Sequence, residues 1–542
     1  MTPRKMPIGI QDFEDLRTNG YVYVDKTAYI YRLVTEGKPY FLGRPRRFGK
    51  SLLLSTLKAY FQGRKDLFEG QGGQAPLFIA EQEKDWIEYP VFHIDLNVAS
   101  YTDPGSLQIG LDANLRFIEE KWGRNPAETT PSTRFLGLIR RACEKTGRKV
   151  VVLVDEYDRP LLQTMESERD QEDIRRELKG FYGVLKTADP WLRFVLLTGI
   201  TKFSQVSVFS DLNQLRDISM EEAYAGICGI STAELTGNFE PELRALAEKN
   251  GMSYEDALAG MQKRYNGYHF SAGAEGVFNP FSVLNTLAKR NFAYYWFQTG
   301  TPTYLIRQLQ KTGFDLREFA GGLTVPAQSI TDYRMNGGSP VPILYQSGYL
   351  TIQDYNRQFD SYTLGFPNQE VEYGFLNSLL PYYMPRNPDR QDFFVGNFIK
   401  DLQAGHVDGF MNRLKAFFAG IPYELNDKTE RHYQTLFYLV FRLMGQYTEV
   451  EQRGSQGRSD AVVRTADTVY LFEFKLATGG AANPVEAALR QIDEKGYLIP
   501  WTASGKKLVK VGAVFDPAAR TLGDWKAVSG MKVLSQTDAS AQ

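Results

Sequence analysis

Val150-Val151-Val152-Leu153-Val154 is an unbroken apolar run that ends in two acids, Asp155 and Glu156. Side chains alternate between the faces of a strand, so a run apolar at every position must be covered on both sides. That is the condition of a strand inside a parallel α/β sheet, and acids at its exit lie where such sheets bind ligands. Further strands read at 21–24, 40–42, 91–96 and 194–198, with helices at 27–37, 107–121 and 173–187. This alternation predicts a parallel sheet flanked by helices.

The segment 40–54 begins as one of these strands and passes through a basic turn, Arg44-Pro45-Arg46-Arg47-Phe48-Gly49-Lys50-Ser51, into a helix. Gly49 lets the backbone approach an anion and the free N–H groups at the helix start point at it. Lys50 supplies a cation and Ser51 a hydroxyl for Mg²⁺. The usual phosphate-loop spacing asks for glycine at 44, where this chain has arginine, and a basic loop capping an ordinary helix is the alternative. With such a loop on a neighbouring strand, Asp155 can hold Mg²⁺ and Glu156 can polarise an attacking water. Thr198, at the end of the apolar strand 194–198, lies where a γ-phosphate sensor belongs.

At 542 residues the chain exceeds one core, and a prior of ~100–200 residues per domain suggests three or four units. A 13% aromatic share argues against long disorder. The net charge of −1 means that nucleic acid must be met by local basic patches such as 44–47. Two cysteines and four scattered histidines imply no disulfide framework and no Cys/His metal site. The N-terminus has no apolar signal region and no apolar run approaches a membrane span, so the expected location is cytoplasmic, with no membrane partner.

From 211 to 326 the reading is mainly helical, with helices at 221–225, 240–249 and 254–265, and is taken as a lid. The signatures at 266–270, 279–281 and 296–300 read as turn chemistry between aromatic core contacts, with His269 a packing residue. Residues 327–392 form a connector with a small hairpin. A winged-helix-like unit also fits, but no Lys/Arg-rich recognition helix is visible there. The linker is placed at 382–392.

In the last domain, 393–542, a helix at 429–444 precedes strands at 447–452, 458–464 and 468–476, an antiparallel meander. A helix at 484–497 and a strand at 507–515 follow. Asp460 precedes Glu473-Phe474-Lys475 by twelve residues, and Glu473 and Lys475 share a strand face while Phe474 faces the core. With Asp460 on the adjacent strand, two carboxylates can clamp a divalent metal against a phosphodiester and Lys475 can stabilise developing charge. A charged solvent face on a hairpin is the competing interpretation. Against it stands the apolar setting Val469-Tyr470-Leu471-Phe472, where charge needs a functional reason.

The stretches 44–51, 154–160 and 197–204 resemble those of bacterial AAA-ATPase-like proteins that carry a PD-(D/E)XK nuclease at the C-terminus, a family that also lacks the first loop glycine. The resemblance implies a P-loop NTPase core with an additional strand, Lys50 on the phosphates, Ser51 and Asp155 on Mg²⁺, Glu156 activating water and Thr198 as sensor. Arg46, Arg47, Phe48, Gly49 and Leu52 complete the nucleotide-binding candidates. At the C-terminus it implies Asp460 and Glu473 as metal ligands with Lys475 in the catalytic core, Gln491 at the family's helix glutamine and Glu430 at the acidic residue of its first helix.

The expected architecture is therefore an α/β ATPase domain (1–210), a helical lid (211–326), a connector (327–392) and a nuclease-like α/β domain (393–542). The expected function is ATP binding and hydrolysis, with Mg²⁺, coupled to a Mg²⁺- or Mn²⁺-dependent nuclease acting on DNA or RNA. The rival is an ATP-driven switch or scaffold of a mobile-element or defence system whose nuclease-like domain binds nucleic acid without cutting it. An ATPase that binds nucleotide without turnover is a third reading, and assembly as a homo-oligomer stays open.

Overall fold

The computed structural model describes residues 4–70, 75–165, 167–202, 214–297, 303–312, 314, 318–331, 339–383, 395–419, 430–445, 449–451, 461–477, 483–516, 518–519 and 521–530. The chain forms two compact units, residues 1–300 with 324–370 and residues 301–323 with 371–542.

In the first unit β1 (Pro39–Gly43), β2 (Val91–Asp95), β3 (Val150–Asp155), β4 (Leu192–Gly199) and β5 (Arg216–Asp217) form one sheet ordered β2-β3-β4-β1-β5. Each neighbouring pair is parallel. All of β3 is buried, as its apolar run requires. The acid-bearing strand does not adjoin the phosphate-loop strand; the strand between them is the additional strand that the family resemblance implied. β4 lies between them, pairing Thr198 with Leu42 on one side and Leu197 with Val154 on the other. Chain order does not dictate sheet order when helical crossovers join parallel strands.

Helices Pro104–Trp122, Pro131–Thr146 and Glu168–Thr187 pack together, with Phe135 stacked on Phe181 at 4.9 Å. The second of these is absent from the sequence reading although its signals are present. Thr130 and Thr133 form a capping box, Pro131 opens the helix and Gly147 closes it. Residues 21–24 make no ladder, only a bridge between Tyr21 and Lys5, and the helix expected at 221–225 is one 3₁₀ turn, Glu222–Tyr224. The helix expected from 240 starts at Thr232 under a Ser231 cap and bends at Phe239, ahead of Pro241, whose ring forbids a straight continuation. Tyr254–Tyr265 is as expected, and Pro280–Lys289 follows it. Leu235, Phe239, Leu243, Met261 and Val283 fuse these helices into one core. A small sheet of β6 (Leu323–Pro326), β7 (Thr351–Asn356) and β8 (Ser361–Gly365) contains the expected hairpin, with Tyr355 against Tyr362 at 4.8 Å.

In the second unit β9 (Glu449–Glu451), β10 (Ala461–Arg464), β11 (Thr468–Leu476), β12 (Lys507–Asp516) and β13 (Thr521–Ser529) form a sheet ordered β13-β12-β11-β10-β9. The β9-β10-β11 meander is antiparallel, and β12 joins β11 in parallel after the crossover helix Pro484–Glu494. β13 was not anticipated. Only Leu522 in it is buried, so it carries no apolar run. Phe472 packs on Phe410, Phe474 on Phe437 at 4.1 Å and Phe515 on Phe418, which sets helices Val407–Ala419 and Glu430–Met444 on one face. The crossover helix covers the other face through Leu489 and Ile492 against Val462, Val469 and Leu471. Tyr382 and Tyr383 belong to the helix Gln369–Tyr383, and the rest of the expected linker lies outside the described residues. Among the described residues no helix is long and apolar enough to cross a membrane.

On β12, Gly512 lies directly under the crossover helix. A Cβ there would stand 2.8 Å from the Val485 carbonyl and 2.9 Å from Leu489. Gly512→Ala should therefore lift the helix and destabilise this unit by about 1–3 kcal/mol, read as a lower denaturant midpoint. An unchanged midpoint would show that the helix is not seated on this glycine.

Candidate functional site

At the carboxyl ends of β1, β3 and β4 the side chains converge on Asp155. One of its oxygens accepts from Ser51 Oγ at 2.5 Å, and the other accepts from Thr198 Oγ1 at 2.8 Å and the Glu156 backbone N–H at 3.0 Å. Asp155 is 3% exposed and Thr198 fully buried, so Thr198 acts on the carboxylate from within the sheet and does not line the cleft. A hydroxyl touching a carboxylate is a hard oxygen pair, and it fits Mg²⁺.

Above this pair opens a cleft of ≈ 390 Å³ bordered by Arg46, Arg47, Lys50, Ser51, Glu156 and Arg159. Phe48, Gly49 and Leu52 also face it. Lys50 opens the helix Lys50–Phe61, and its Nζ donates to the carbonyls of Arg44 (2.9 Å) and Pro45 (3.1 Å). Arg47 has φ 68° and Gly49 φ 96°, the left-handed conformations that wrap the loop. The Arg47 guanidinium lies 4.7 Å over Phe281, and Phe48 is buried edge-on to Tyr268 at 4.7 Å. Next to the cleft is an apolar cavity of ≈ 100 Å³ that shares Phe48, Gly49 and Leu52 with it and adds Val22, Val24 and Ile230.

Arg44, where a phosphate loop usually has glycine, turns away from the cleft. It is 1% exposed, donates to the carbonyls of Gly43 (2.8 Å), Ser219 (2.7 Å) and Tyr224 (3.0 Å), and stands 4.0 Å over Phe270. Burial pulls its pKa below the usual arginine value. Of the basic cluster, only Arg46 and Arg47 therefore present charge to solvent.

Sequence reasoning passed over Arg159, Asn97 and Asp158. Arg159 Nη1 lies 3.2 Å from Glu156 Oε2 and bonds Asn97 Oδ1, so the glutamate is ion-paired inside the cleft. Glu156 itself has φ 49°, an uncommon backbone conformation for a non-glycine residue at the rim of a site. Asp158 is buried and ties the turn after β4, accepting from Ile200 N (3.0 Å), Thr201 N (2.6 Å) and Thr201 Oγ1 (2.7 Å), and burial raises its pKa. The acid-rich motif 155–158 was the available signal, but nothing in it distinguishes the acid facing the cleft from the acid facing the core.

In the second unit Glu473 and Lys475 share one face of β11, as expected from the two-residue strand period. Lys475 Nζ stands 3.4 Å from Glu473 Oε1, and the Gln491 amide of the crossover helix bonds both of them. Glu473 is 3% exposed. On the same face Lys510, 5% exposed, bonds both oxygens of Asp493 at 2.7 Å, a second buried ion pair that sequence reasoning missed. Asp460 lies outside the described residues; β10 begins one residue later with Ala461, whose partner is Phe472. Glu430 opens the helix Glu430–Met444. Among the described residues no three His, Cys, Asp or Glu side chains form a metal-holding group.

Arg44→Gly, which restores the usual loop glycine, should destabilise the first unit by about 3 kcal/mol, because it takes the donor from the buried Tyr224 carbonyl and from the half-buried carbonyls of Gly43 and Ser219. Denaturant unfolding would detect the loss, and equal or greater stability would show the buried guanidinium to be dispensable.

Three comparisons with known proteins bear on the two sites. A family model described as "Predicted AAA-ATPase" matches residues 7–209, and a PD-(D/E)XK nuclease superfamily model matches residues 428–525. The protein named "Uncharacterized protein in vnfD 5'region", from Azotobacter chroococcum mcd 1, is 34% identical over 534 residues, spanning 96% of this chain and 98% of its own.

Proposed function

The chain belongs to the AAA-ATPase-like proteins that end in a PD-(D/E)XK nuclease superfamily domain, and from that membership we propose that it hydrolyses ATP and cuts nucleic-acid phosphodiesters under nucleotide control. The observation that carries the first half is the Ser51–Asp155 contact at the foot of a cleft lined by Lys50, Arg46 and Arg47. The apolar cavity beside that cleft suits a purine base, and the basic loop suits the phosphates. Lys50, now donating to loop carbonyls, is the cation that would meet the phosphate oxygens. Ser51 and Asp155 would hold Mg²⁺, which supplies charge neutralisation on the phosphates. Glu156 is the base that orients water, and its ion pair with Arg159 restrains it until the cleft is filled. Thr198 orients Asp155 from inside the sheet.

The second half rests on Glu473, Lys475 and Gln491 meeting under the crossover helix. Glu473, with Asp460 as the second carboxylate, would hold a divalent cation, Mg²⁺ or Mn²⁺, which activates water and neutralises the phosphodiester. Lys475 would stabilise charge on the attacked phosphate, and Gln491 keeps its side chain on the metal-facing side of the sheet. DNA and RNA are both candidates, since base identity plays no part in this chemistry.

Glu156→Gln should lower ATP turnover by roughly 10²-fold or more while ATP binding persists. Phosphate release and equilibrium binding measure the two separately, and retained turnover would remove Glu156 from the role. For the nuclease, the full chain would be incubated with single- and double-stranded DNA and RNA, with Mg²⁺ and with or without ATP. Cleavage should vanish in Asp460→Ala and in Lys475→Ala without loss of ATP binding. Cleavage that survives in both would displace the site, and ATP-dependent binding without cleavage by the unaltered chain would favour the switch or scaffold.

A further inference from the structure

The turn that leaves β3 sorts its side chains by direction. Tyr157 and Asp158 are sealed in the core, where the Tyr157 hydroxyl donates to the Thr201 carbonyl at 2.7 Å and its backbone N–H to the Thr198 carbonyl at 3.0 Å. Asp158 accepts from the Thr201 N–H and fastens the same turn to the exit of β4. Glu156 and Arg159, three residues apart, are the two that border the phosphate cleft, together with Lys50 and Ser51. The Arg159 N–H closes the turn on the Glu156 carbonyl at 3.0 Å, and the left-handed backbone of Glu156 belongs to this closure.

Within the cleft Arg159 is only partly engaged. One nitrogen, Nη1, carries both of its side-chain bonds, to Glu156 Oε2 at 3.2 Å and to Asn97 Oδ1. Among the described residues Nε has no hydrogen-bond partner and Nη2 makes no bond. A third of the side chain is exposed. Asn97 is aimed by Asp95, whose Oδ1 accepts from its amide nitrogen at 2.9 Å and from its backbone N–H at 2.8 Å. A guanidinium has five donors in a rigid fork, so one held through a single nitrogen can still meet an oxyanion.

We propose that Arg159 is a catalytic residue that the chain supplies to its own nucleotide: with ATP in the cleft its guanidinium leaves Glu156 for the γ-phosphate. The inference rests on the ATP-hydrolysis reading and adds a residue to it. A terminal phosphate carries about two negative charges against one on Glu156, and it offers the fork three oxygens. The same movement uncovers Glu156 Oε2, which is occupied while the ion pair holds. ADP lacks the γ-phosphate, so with ADP bound Arg159 stays on Glu156.

In the step itself, the oxygen of a water held by Glu156 bonds to the γ-phosphorus while the bond from that phosphorus to the β–γ bridging oxygen breaks, and its electron pair leaves on ADP. The water proton goes to the Glu156 carboxylate, which then yields it to solvent, so ATP and water become ADP, phosphate and a proton. Arg159 takes no proton and balances the charge spreading over the phosphate oxygens. Because the arginine and the base come from one turn, hydrolysis needs no second subunit to complete this site.

Calorimetric binding of Mg·ATP and Mg·ADP by the full chain, with phosphate release, tests the assignment. Arg159→Ala should lower turnover by about 10³-fold and weaken ATP binding more than ADP binding. Glu156→Gln frees the guanidinium in advance and should bind ATP about fivefold more tightly than the unaltered chain, a gain that should vanish when Arg159→Ala is added. A mixture of the Arg159→Ala chain with the Glu156→Gln chain should recover no turnover. Arg159→Ala at the original rate, equal losses on both nucleotides, or a gain in ATP affinity that survives without Arg159 would each overturn the catalytic role. Turnover regained in the mixture would overturn supply from the same chain. An unaltered chain that binds neither nucleotide, or binds ATP without turnover, would overturn the ATPase reading and the proposal with it.

Discussion

The first unit depends on a carboxylate kept almost out of water at the end of a parallel sheet. Asp155 is tolerable there because three donors from three chain segments meet it: the Ser51 hydroxyl from the phosphate-loop helix, the Thr198 hydroxyl from β4 and the Glu156 N–H from its own strand exit. Losing any of these donors would leave a buried charge short of partners, so the loop, the inserted strand and the acid turn are held in one arrangement. The insertion of β4 between β1 and β3 makes this geometry possible, because it brings Thr198 beside the acid while leaving Ser51 to approach from above.

What could be read from the sequence follows from how completely a local constraint determined the element. β3 was legible because five buried residues in a row admit one environment, and β11 was legible to the residue because the turn at 465–467 and the apolar run leave no slack in register. The shared face of Glu473 and Lys475 followed from strand period alone. Sheet order did not follow from the spacing, since parallel crossovers place strands by packing; the inserted strand was legible only through the family resemblance. β13 was hidden because an edge strand with one buried residue has no apolar signature. Arg44 was misjudged for a related reason. A basic cluster reads as a solvated patch, and only the carbonyls of Ser219 and Tyr224, some 175 residues away in sequence, pull one of its guanidinium groups inward.

The second unit meets the same physical difficulty with a different solution. One face of its sheet is aromatic, with Phe472 and Phe474 under the helices, and the other must carry charge at Glu473, Lys475 and Lys510 while still being covered. The crossover helix resolves this by offering polar groups in register with the charges, Gln491 to Glu473 and Lys475 and Asp493 to Lys510, and apolar ones where the sheet is apolar. Lys510 and Asp493 then have a structural reason to exist that needs no chemistry, because together they seat the helix that delivers Gln491.

The same comparison separates the charged groups that serve the fold from those available to a substrate. Arg44, Asp158 and Lys510 each bond other parts of the protein and are nearly sealed from solvent, although Arg44 Nε and Asp158 Oδ1 are left without a hydrogen-bond partner among the described residues. Arg46, Arg47 and Lys475 keep exposed surface, and Lys50, though buried, is held among the described residues by carbonyls of its own loop, acceptors that a phosphate can replace. Glu370 belongs to neither class. It is sealed like a structural acid, its oxygens accept from Ser282 and Trp296, and among the described residues no cation is paired with it, so burial raises its pKa.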